Sequence, residues 1–261
     1  SSSTSILDRW SLEPNPTNGG TDVIDKSTDE RYVQKRRTTP IDGVPHPSFI
    51  RQDVLDAQRS QLSLRPTDVC VTTYSKCGTT LSEQIVCLLL NGGRLDESNP
   101  LDKNAYSKEK SSLVGKIWVE MAVVDGLEGV VVPATMGPIG PGGDPLGEAR
   151  SRMSVRDFDA IPSPRVLKSH EPPRLYLDRD GRSARVLYVT RNPFDACVSC
   201  YYHPKRGVSP HSLGMPFEGF ANFWLSDACE FGGWIEHTKG WRKEYCRRNH
   251  REENGDDGGG G

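Results

Sequence analysis

The segment 75–80, Ser-Lys-Cys-Gly-Thr-Thr, combines residue types that bind phosphate groups. Lys76 supplies a full positive charge, Gly78 lets the backbone approach a ligand closely, and Thr79 and Thr80 add hydroxyl donors. Because backbone N–H groups at a helix start carry partial positive charge, a helix beginning here would complete an anion site. The pattern departs from the P-loop G-x-x-x-x-G-K-[ST], since its lysine precedes the glycine and the first glycine is missing. A turn without a ligand is therefore the alternative interpretation.

A second candidate phosphate site starts at Arg191. Ser199 lies two helical turns further along the chain. Arginine suits bidentate phosphate recognition, and a serine hydroxyl can complete the cradle. Alone, an arginine after a strand is a weak signal, because surface arginines at strand ends are common. This segment therefore supports the first candidate phosphate site but does not establish a site by itself.

Lys168 and His170 offer acid–base and charge-stabilising chemistry. Alternation along a strand puts both side chains on the same side, at the carboxyl end where open α/β sheets place their ligands. A histidine can take a proton from an acceptor hydroxyl, and a lysine can stabilise charge that develops during group transfer. Beside two phosphate-type sites, a catalytic role for His170 is favoured over a structural one.

Strand, loop and helix units position all three segments. Strands are predicted over 68–74, 165–169 and 185–190, and the first and third run directly into helix starts. Asn192 can cap the later helix, and Pro193 suits its first position. The earlier helix is predicted from apolar residues at helical spacing followed by a glycine cap: Leu81, Ile85, Leu88 and Leu89, then 91–93. This pattern predicts an α/β protein.

The rest of the chain divides by composition. Residues 1–45 are polar and broken by proline and glycine, which predicts an arm with little structure of its own. A folded domain is expected over 46–248, with a helix predicted around 116–125 and a Gly/Pro-rich loop over 133–147. The tail 249–261 is charged and then glycine-rich, so it is predicted to be disordered.

Two aromatic stripes are interpreted as core packing. They recur at helical spacing, as in helices that bury one face. Their members are Phe217, Phe220, Phe223 and Trp224, then Trp234, Thr238, Trp241 and Tyr245.

Composition excludes several classes of protein. The 261 residues carry 33 Lys+Arg against 35 Asp+Glu, a net charge of −2, which argues against nonspecific nucleic-acid binding. The longest apolar run, 85–90, is far shorter than the roughly 20 residues that a membrane-spanning helix needs. The 7 cysteines are interpreted as reduced thiols, and Cys197 with Cys200 makes only a weak Cys-x-x-Cys signal for metal or redox chemistry.

The combined motifs identify a family resemblance. The segments 73–80, 164–170 and 188–203, followed by 233–241, resemble the cytosolic sulfotransferases, which use 3′-phosphoadenosine 5′-phosphosulfate (PAPS). The resemblance covers roughly residues 45–248. It implies a three-layer, P-loop-like α/β fold with a mainly parallel central sheet flanked by helices.

The resemblance also implies roles for individual residues. His170 would be the general base, Lys76 would stabilise the leaving oxygen, and Lys168 would stabilise the sulfuryl group in transfer. The cofactor-binding residues implied by position are Lys76, Cys77, Gly78, Thr79, Thr80, Leu81, Arg191 and Ser199.

The implied reaction moves a sulfuryl group from PAPS to a hydroxyl or amine of a small acceptor, a phenol, alcohol or amine, and leaves adenosine 3′,5′-bisphosphate (PAP). Catalysis would rest on positioning and charge stabilisation, without a metal. The resemblance further implies a cytoplasmic protein that binds neither nucleic acid nor membrane, and it leaves a homodimer open.

Departures from the family are equally informative. The family usually has Pro, Ser and Trp where this chain has Ser75, Cys77 and Leu81. Leu81 removes an aromatic that packs on the adenine, and such stacking is worth about 1–3 kcal/mol per base, so weaker cofactor binding is expected. Nothing after Trp241 matches the family's late Arg-Lys-Gly…Gly-Asp-Trp-Lys-Asn segment, which closes over the cofactor. The expectation is a fragment, a mispredicted gene end or a degenerate relative.

Two alternatives of other classes stay open. One is a catalytically impaired nucleotide-binding protein on a sulfotransferase scaffold. The other is a P-loop kinase or nucleotide hydrolase, which is disfavoured because no lysine follows Gly78 and no aspartate ends a partner strand as a Mg²⁺ ligand.

Overall fold

The structure is a computed structural model that describes residues 6–17, 21–32, 38–47, 50–90, 92–93, 117–118, 155–176, 184–203 and 209–253. The Gly/Pro-rich loop predicted over 133–147 lies outside the described residues. So does the part of the predicted tail beyond Glu253.

In the described part of the N-terminal region, five short strands precede the first α-helix: β1 (Trp10–Pro14), β2 (Thr21–Asp25), β3 (Glu30–Tyr32), β4 (Thr38–Ile41) and β5 (Val44–Pro47). β1, β2 and β3 form an antiparallel sheet, and β4 and β5 form a hairpin. The prediction of an arm with little structure is therefore wrong for these residues. Short paired strands bury Trp10, Val23, Ile41 and Val44, and composition averaged over a polar segment does not register so few buried positions.

Within the described residues the central sheet has four strands: β6 (Val69–Thr73), β7 (Ile117–Trp118), β8 (Val166–Ser169) and β9 (Arg185–Val189). Their order is β7-β8-β6-β9, and every pairing is parallel. The three predicted strands and the predicted α/β class are confirmed. Because the strands are parallel, the loops after β6, β8 and β9 all leave from the same edge of the sheet.

The helices are α1 (Gln52–Gln61), α2 (Thr79–Leu90), α3 (Val155–Ala160), α4 (Pro193–Tyr202), α5 (Phe217–Leu225) and α6 (Trp234–Glu253). The helices predicted after the two phosphate-type loops are α2 and α4. α6 continues to Glu253, so the prediction of a disordered tail from residue 249 is wrong for its first five residues.

The helix predicted around 116–125 is not found at the positions that the structure describes. Ile117 and Trp118 form β7 and pair with Leu167 and Lys168 of β8. A short apolar run does not distinguish helix from strand, and β-branched and aromatic residues fit a strand at the edge of a sheet.

Helices cover both faces of the central sheet. Val71 and Val166 pack with Val86 and Cys87 of α2 on one face. Cys70 and Leu167, the alternate residues of the same strands, pack with Phe158 of α3 and Trp241 of α6 on the other. Successive strand residues point to opposite faces, so the three layers follow from these two clusters.

The aromatic stripes are confirmed as core packing, with two exceptions, Phe217, which is 38% exposed, and Tyr245. Phe220, Phe223 and Trp224 of α5 join Tyr74 in one buried cluster. Tyr245, which was predicted to continue the second stripe, is 64% exposed.

Candidate active site

The loop between β6 and α2 is a tight turn with strained backbone. The Cys77 N–H donates to the Tyr74 carbonyl at 3.2 Å, and Lys76 takes φ 67°. A lysine in this left-handed region costs about 1–3 kcal/mol, and such strain is concentrated at functional sites. Gly78 has φ 102°, which L-residues rarely adopt.

The predicted ligands on this loop do not all face the same way. The Thr79 hydroxyl lies 2.6 Å from the Thr73 hydroxyl and is buried with it. Thr80 is exposed, and Leu81 is 65% exposed on the first turn of α2. The Cys77 thiol is buried, and burial raises its pKa. Cys77 therefore shapes the turn, while its side chain is turned away from solvent.

Both phosphate-type loops open into one pocket of about 440 Å³. The Lys76 ammonium lies 3.2 Å from His203 Nδ1, and the Arg191 guanidinium is 3.4 Å from the Lys76 carbonyl oxygen. The pocket is lined by Lys76, Arg191, Phe194, Asp195, Val198, Ser199, Tyr202 and His203. The structure thus brings together three residues that were predicted from separate motifs, Lys76, Arg191 and Ser199.

Five lining residues were not among the predicted site residues: Phe194, Asp195, Val198, Tyr202 and His203. Helical spacing after Arg191 carried the signal, because positions 194, 198 and 202 share one face of α4. Asn192 caps this helix as predicted, its side-chain oxygen accepting from the Phe194 N–H at 2.9 Å. The cap fixes the helix start at the mouth of the pocket.

Electrostatics favour an anion in this pocket. Two of its lining residues, Lys76 and Arg191, are cationic, and one, Asp195, is acidic. Arg191 Nε and the Asp195 carboxylate are 3.9 Å apart, and both side chains are exposed. An exposed pair of this kind is worth little, so a bound phosphate could replace Asp195 as the partner of Arg191.

His170 lies just after β8, beside the carboxyl end of β6. Its Nδ1 is 2.8 Å from the Thr73 carbonyl oxygen, which can only accept a hydrogen bond. Nδ1 must therefore carry a proton, and the neutral ring keeps its lone pair on Nε2. The residue is 8% exposed. Lys168 is half-buried, and strand alternation places it on the face of Val166, which α2 covers.

Two side chains of α6 hydrogen-bond to consecutive backbone carbonyls, those of His170 and Glu171. His237 Nε2 is 3.1 Å from the His170 carbonyl oxygen, and Trp241 Nε1 donates to the Glu171 carbonyl at 3.1 Å. Burial lowers the pKa of His237 from 6.5 to about 4. The ring is therefore neutral at pH 7, with Nε2 as its donor. The i, i+4 spacing of His237 and Trp241 places them on one face of α6, a signal that the sequence reasoning did not use.

The cysteines provide no sign of metal or redox chemistry in the described residues. All 7 are described and none forms a disulfide. Burial raises the pKa of Cys197 to about 12, so its thiol is a poor nucleophile and metal ligand. No group of three or more His, Cys, Asp or Glu within the described ranges is arranged to hold a metal ion. Nor does any described helix have the length and apolar character needed to cross a membrane.

Fold and site together define an α/β protein with two phosphate-type loops on one pocket and a histidine at the same sheet edge. The Sulfotransferase domain family matches residues 66–252, and the chain belongs to that family.

Relatives agree with this assignment. The chain is 28% identical to rat sulfotransferase 2B1 over 211 residues, which is 79% of this chain and 50% of the relative. It is 29% identical to human sulfotransferase 4A1 over 198 residues, 76% of this chain and 55% of the relative. The chain spans about half the length of the curated relatives it matches.

A solved structure confirms the fold. Retinol dehydratase in complex with androsterone and the inactive cofactor PAP aligns with a TM-score of 0.51 and 17% identity, covering 91% of this chain and 61% of that chain. At this level of identity the likeness concerns the fold alone.

Proposed function

We propose that this chain takes part in sulfuryl transfer from PAPS to a hydroxyl or amine of a small acceptor, with His170 as general base. The observation that carries the proposal is the hydrogen bond between His170 Nδ1 and the Thr73 carbonyl. It fixes one tautomer and leaves Nε2 to accept a proton, at the sheet edge where the phosphate-type loops also begin.

The residues present fit a nucleotide that carries anionic groups at two positions. Arg191 and Ser199 would hold the 3′-phosphate, and Lys76 with Gly78, Thr79 and Thr80 would hold the 5′-phosphosulfate. Of these residues, Lys76, Arg191 and Ser199 line one pocket whose volume, about 440 Å³, lies within the range of small-molecule sites. Gly78, Thr79 and Thr80 follow Lys76 closely along the chain. Cys77 would contribute through the turn that it shapes. Leu81 would offer only aliphatic contact to the adenine.

When bound, PAPS supplies the sulfuryl group and leaves as PAP. His170 Nε2 takes the proton of the acceptor hydroxyl or amine as its oxygen or nitrogen bonds to sulfur. Lys76 stabilises the negative charge that develops on the departing phosphate oxygen, and Lys168 stabilises charge on the sulfuryl oxygens. No step in this sequence calls for a metal. A cytoplasmic location and the absence of nucleic-acid and membrane partners stay predictions, and a homodimer stays open.

The test measures transfer of labelled sulfate from PAPS to a panel of phenols, alcohols and amines. We expect transfer by the wild-type chain, and His170→Gln should lower kcat by about 10²–10⁴, the usual contribution of a general base. His170→Gln should leave the Kd of PAP, measured by calorimetry, nearly unchanged, because His170 does not line the phosphate pocket.

Two outcomes would contradict the proposal. Binding of PAP without transfer to any acceptor supports the catalytically impaired scaffold instead. Mg²⁺-dependent ATP hydrolysis that Lys76→Met abolishes would support a P-loop hydrolase.

A further inference from the structure

A buried histidine–carboxylate pair lies directly behind the proposed base. His46 of β5 has its Nε2 3.0 and 2.9 Å from the two carboxylate oxygens of Glu171. The side chains are 0% and 2% exposed. Neither residue was singled out from the sequence. They are 125 residues apart, and His46 precedes the segment 66–252 that matches the sulfotransferase family.

Proton arithmetic shows that this pair is a single hydrogen-bonded unit. His46 Nδ1 is 2.8 Å from the Val44 carbonyl, an acceptor only, so Nδ1 carries a proton. One further proton lies between Nε2 and the carboxylate. With it on either atom, the pair is neutral overall and hydrogen-bonded. Removing one partner would leave the other buried without this hydrogen bond, which is destabilising.

The pair is tied to His170 through the backbone. Glu171 directly follows His170, its N–H donates to Ser169 Oγ at 3.0 Å, and its carbonyl accepts from Trp241. Ser169, Trp241 and His46 thus hold the amide, carbonyl and side chain of one residue. Because peptide planes are rigid, fixing Glu171 in three directions restricts the backbone that carries the His170 ring.

The pair is also tied to His170 through an aromatic ring. Phe231 lies 5.3 Å from the His46 ring in an edge-on contact and 5.4 Å from the His170 ring in a tilted one. The Phe231 N–H donates to the Pro45 carbonyl at 2.7 Å, so the β4–β5 hairpin holds this residue in place. One side chain therefore packs against the histidine of the pair and against the proposed base.

We propose that the buried His46–Glu171 pair is a positioning device that holds the His170 ring in the orientation in which Nδ1 donates to Thr73 and Nε2 is presented to the acceptor. The inference rests on the proposed function for the catalytic consequence, but not for the geometry. It makes the hairpin before the family-matching segment part of the transfer machinery. His46 and Glu171 act through His170 and do not themselves touch the reacting atoms.

The experiment compares two substitutions of similar size that differ in hydrogen-bonding capacity, Glu171→Gln and Glu171→Leu. A glutamine amide can donate to neutral His46 Nε2, so Glu171→Gln should keep the wild-type kcat to within a few-fold. Glu171→Leu cannot, and the ring shift should lower kcat by about 100-fold, the cost of misplacing a reacting group by about 1 Å. The Kd of PAP should stay the same in both variants, because Glu171 does not line the phosphate pocket.

A spectroscopic measurement makes the test independent of turnover. In ¹⁵N-histidine NMR spectra, with the His170 signals assigned by their loss in His170→Gln, the wild-type and Glu171→Gln chains should show the Nδ1–H tautomer. Glu171→Leu should show a mixture of tautomers. If the three chains show these tautomers but the wild type transfers no sulfate, the proposed function fails while the positioning inference holds.

The positioning inference is overturned if Glu171→Leu keeps the wild-type tautomer of His170. It is also overturned if kcat per folded molecule is the same in Glu171→Leu and Glu171→Gln, since a merely structural role would change only the melting temperature. His46→Leu offers a second route to the same comparison. The tautomer signal is read on whichever variant is folded at the assay temperature.

Discussion

The two sides of His170 differ in how their polar groups are used. On the pocket side, Lys76 is half-buried and Arg191 is exposed; the Lys76 ammonium lies 3.2 Å from His203, and Arg191 lies 3.9 Å from Asp195. On the closed side, His46, Glu171 and His237 are buried within networks of hydrogen bonds. Charged side chains that stay in contact with water are available to an anion. Polar groups removed from water must be satisfied inside the protein, so they fix geometry.

This difference predicts that substitutions on the pocket side change ligand binding and turnover with little change in stability. Substitutions on the closed side should first change the free energy of unfolding. Each of the following experiments tests that division.

The largest effect is expected for Lys76→Met on the pocket side. Loss of the charge that we propose to stabilise the leaving oxygen should lower kcat for sulfuryl transfer by about 10²–10³, as removal of a single transition-state donor does. The melting temperature should change little, because methionine keeps the unbranched aliphatic stem of the half-buried lysine. Lys239→Met, which removes an exposed lysine of α6 that does not line the pocket, is the control. Equal loss of activity in both variants would contradict the assignment of Lys76.

On the closed side, His237 should make stability depend on pH. Burial lowers its pKa from 6.5 unfolded to about 4 folded, so between these values the unfolded chain binds more protons. The stabilisation is therefore complete above pH 6.5 and is lost as pH falls towards 4, by about 3 kcal/mol in total. Urea unfolding at several pH values should show this slope in the wild type, and His237→Gln should remove it.

Asp25 of the N-terminal sheet also makes the stability depend on pH, but over a different pH range. The Arg9 guanidinium holds the pKa of Asp25 below its usual 3.8. Its contribution is therefore present above pH 3.8 and lost only as the pH falls further, so it does not overlap the His237 window. If His237→Gln left the slope between pH 6.5 and 4 unchanged, the neutral buried state of His237 would be wrong.

Trp241→Phe should isolate one hydrogen bond of the closed side. Phenylalanine can keep the stacking on Tyr188, whose ring centroid is 5.5 Å away, but it leaves the Glu171 carbonyl without its donor. The expected loss is about 1–3 kcal/mol in the free energy of unfolding beyond the lost volume. Trp224→Phe is the matched control, because within the described part of the chain the Trp224 N–H has no hydrogen-bond partner. Equal losses in the two variants would show that the hydrogen bond adds nothing.

The smallest effect is expected for Asn192→Ala at the mouth of the pocket. Loss of the cap to the Phe194 N–H should destabilise the chain by about 1 kcal/mol. Asn192→Asp keeps the acceptor oxygen and should retain the wild-type melting temperature. A loss in Asn192→Asp as large as in Asn192→Ala would argue against the cap.

Most of the sheet and the motif loops could be predicted from sequence because their signals are local. The segment Val69–Thr73 is rich in β-branched residues, which favour a strand. Asn192 and the adjacent Pro193 together mark a helix start. The N-terminal strands were missed because their stability comes from pairing and from packing, as where Trp10 lies against Gly219 of α5. Ile117 and Trp118 were assigned to a helix because only the neighbouring β8 makes them a strand.

The sequence by itself determined which residues are the proposed phosphate ligands and which histidine is the proposed base, since charge, hydroxyl groups and a glycine turn are properties of short segments. Only the tertiary structure decided that Lys76 and Arg191 open onto one pocket. It also decided that His46 meets Glu171 across 125 residues of chain. Such contacts depend on strand order and layer packing, which no local pattern encodes. Burial then gives the closed side its energetic weight, because only there must every polar group find its partner within the fold.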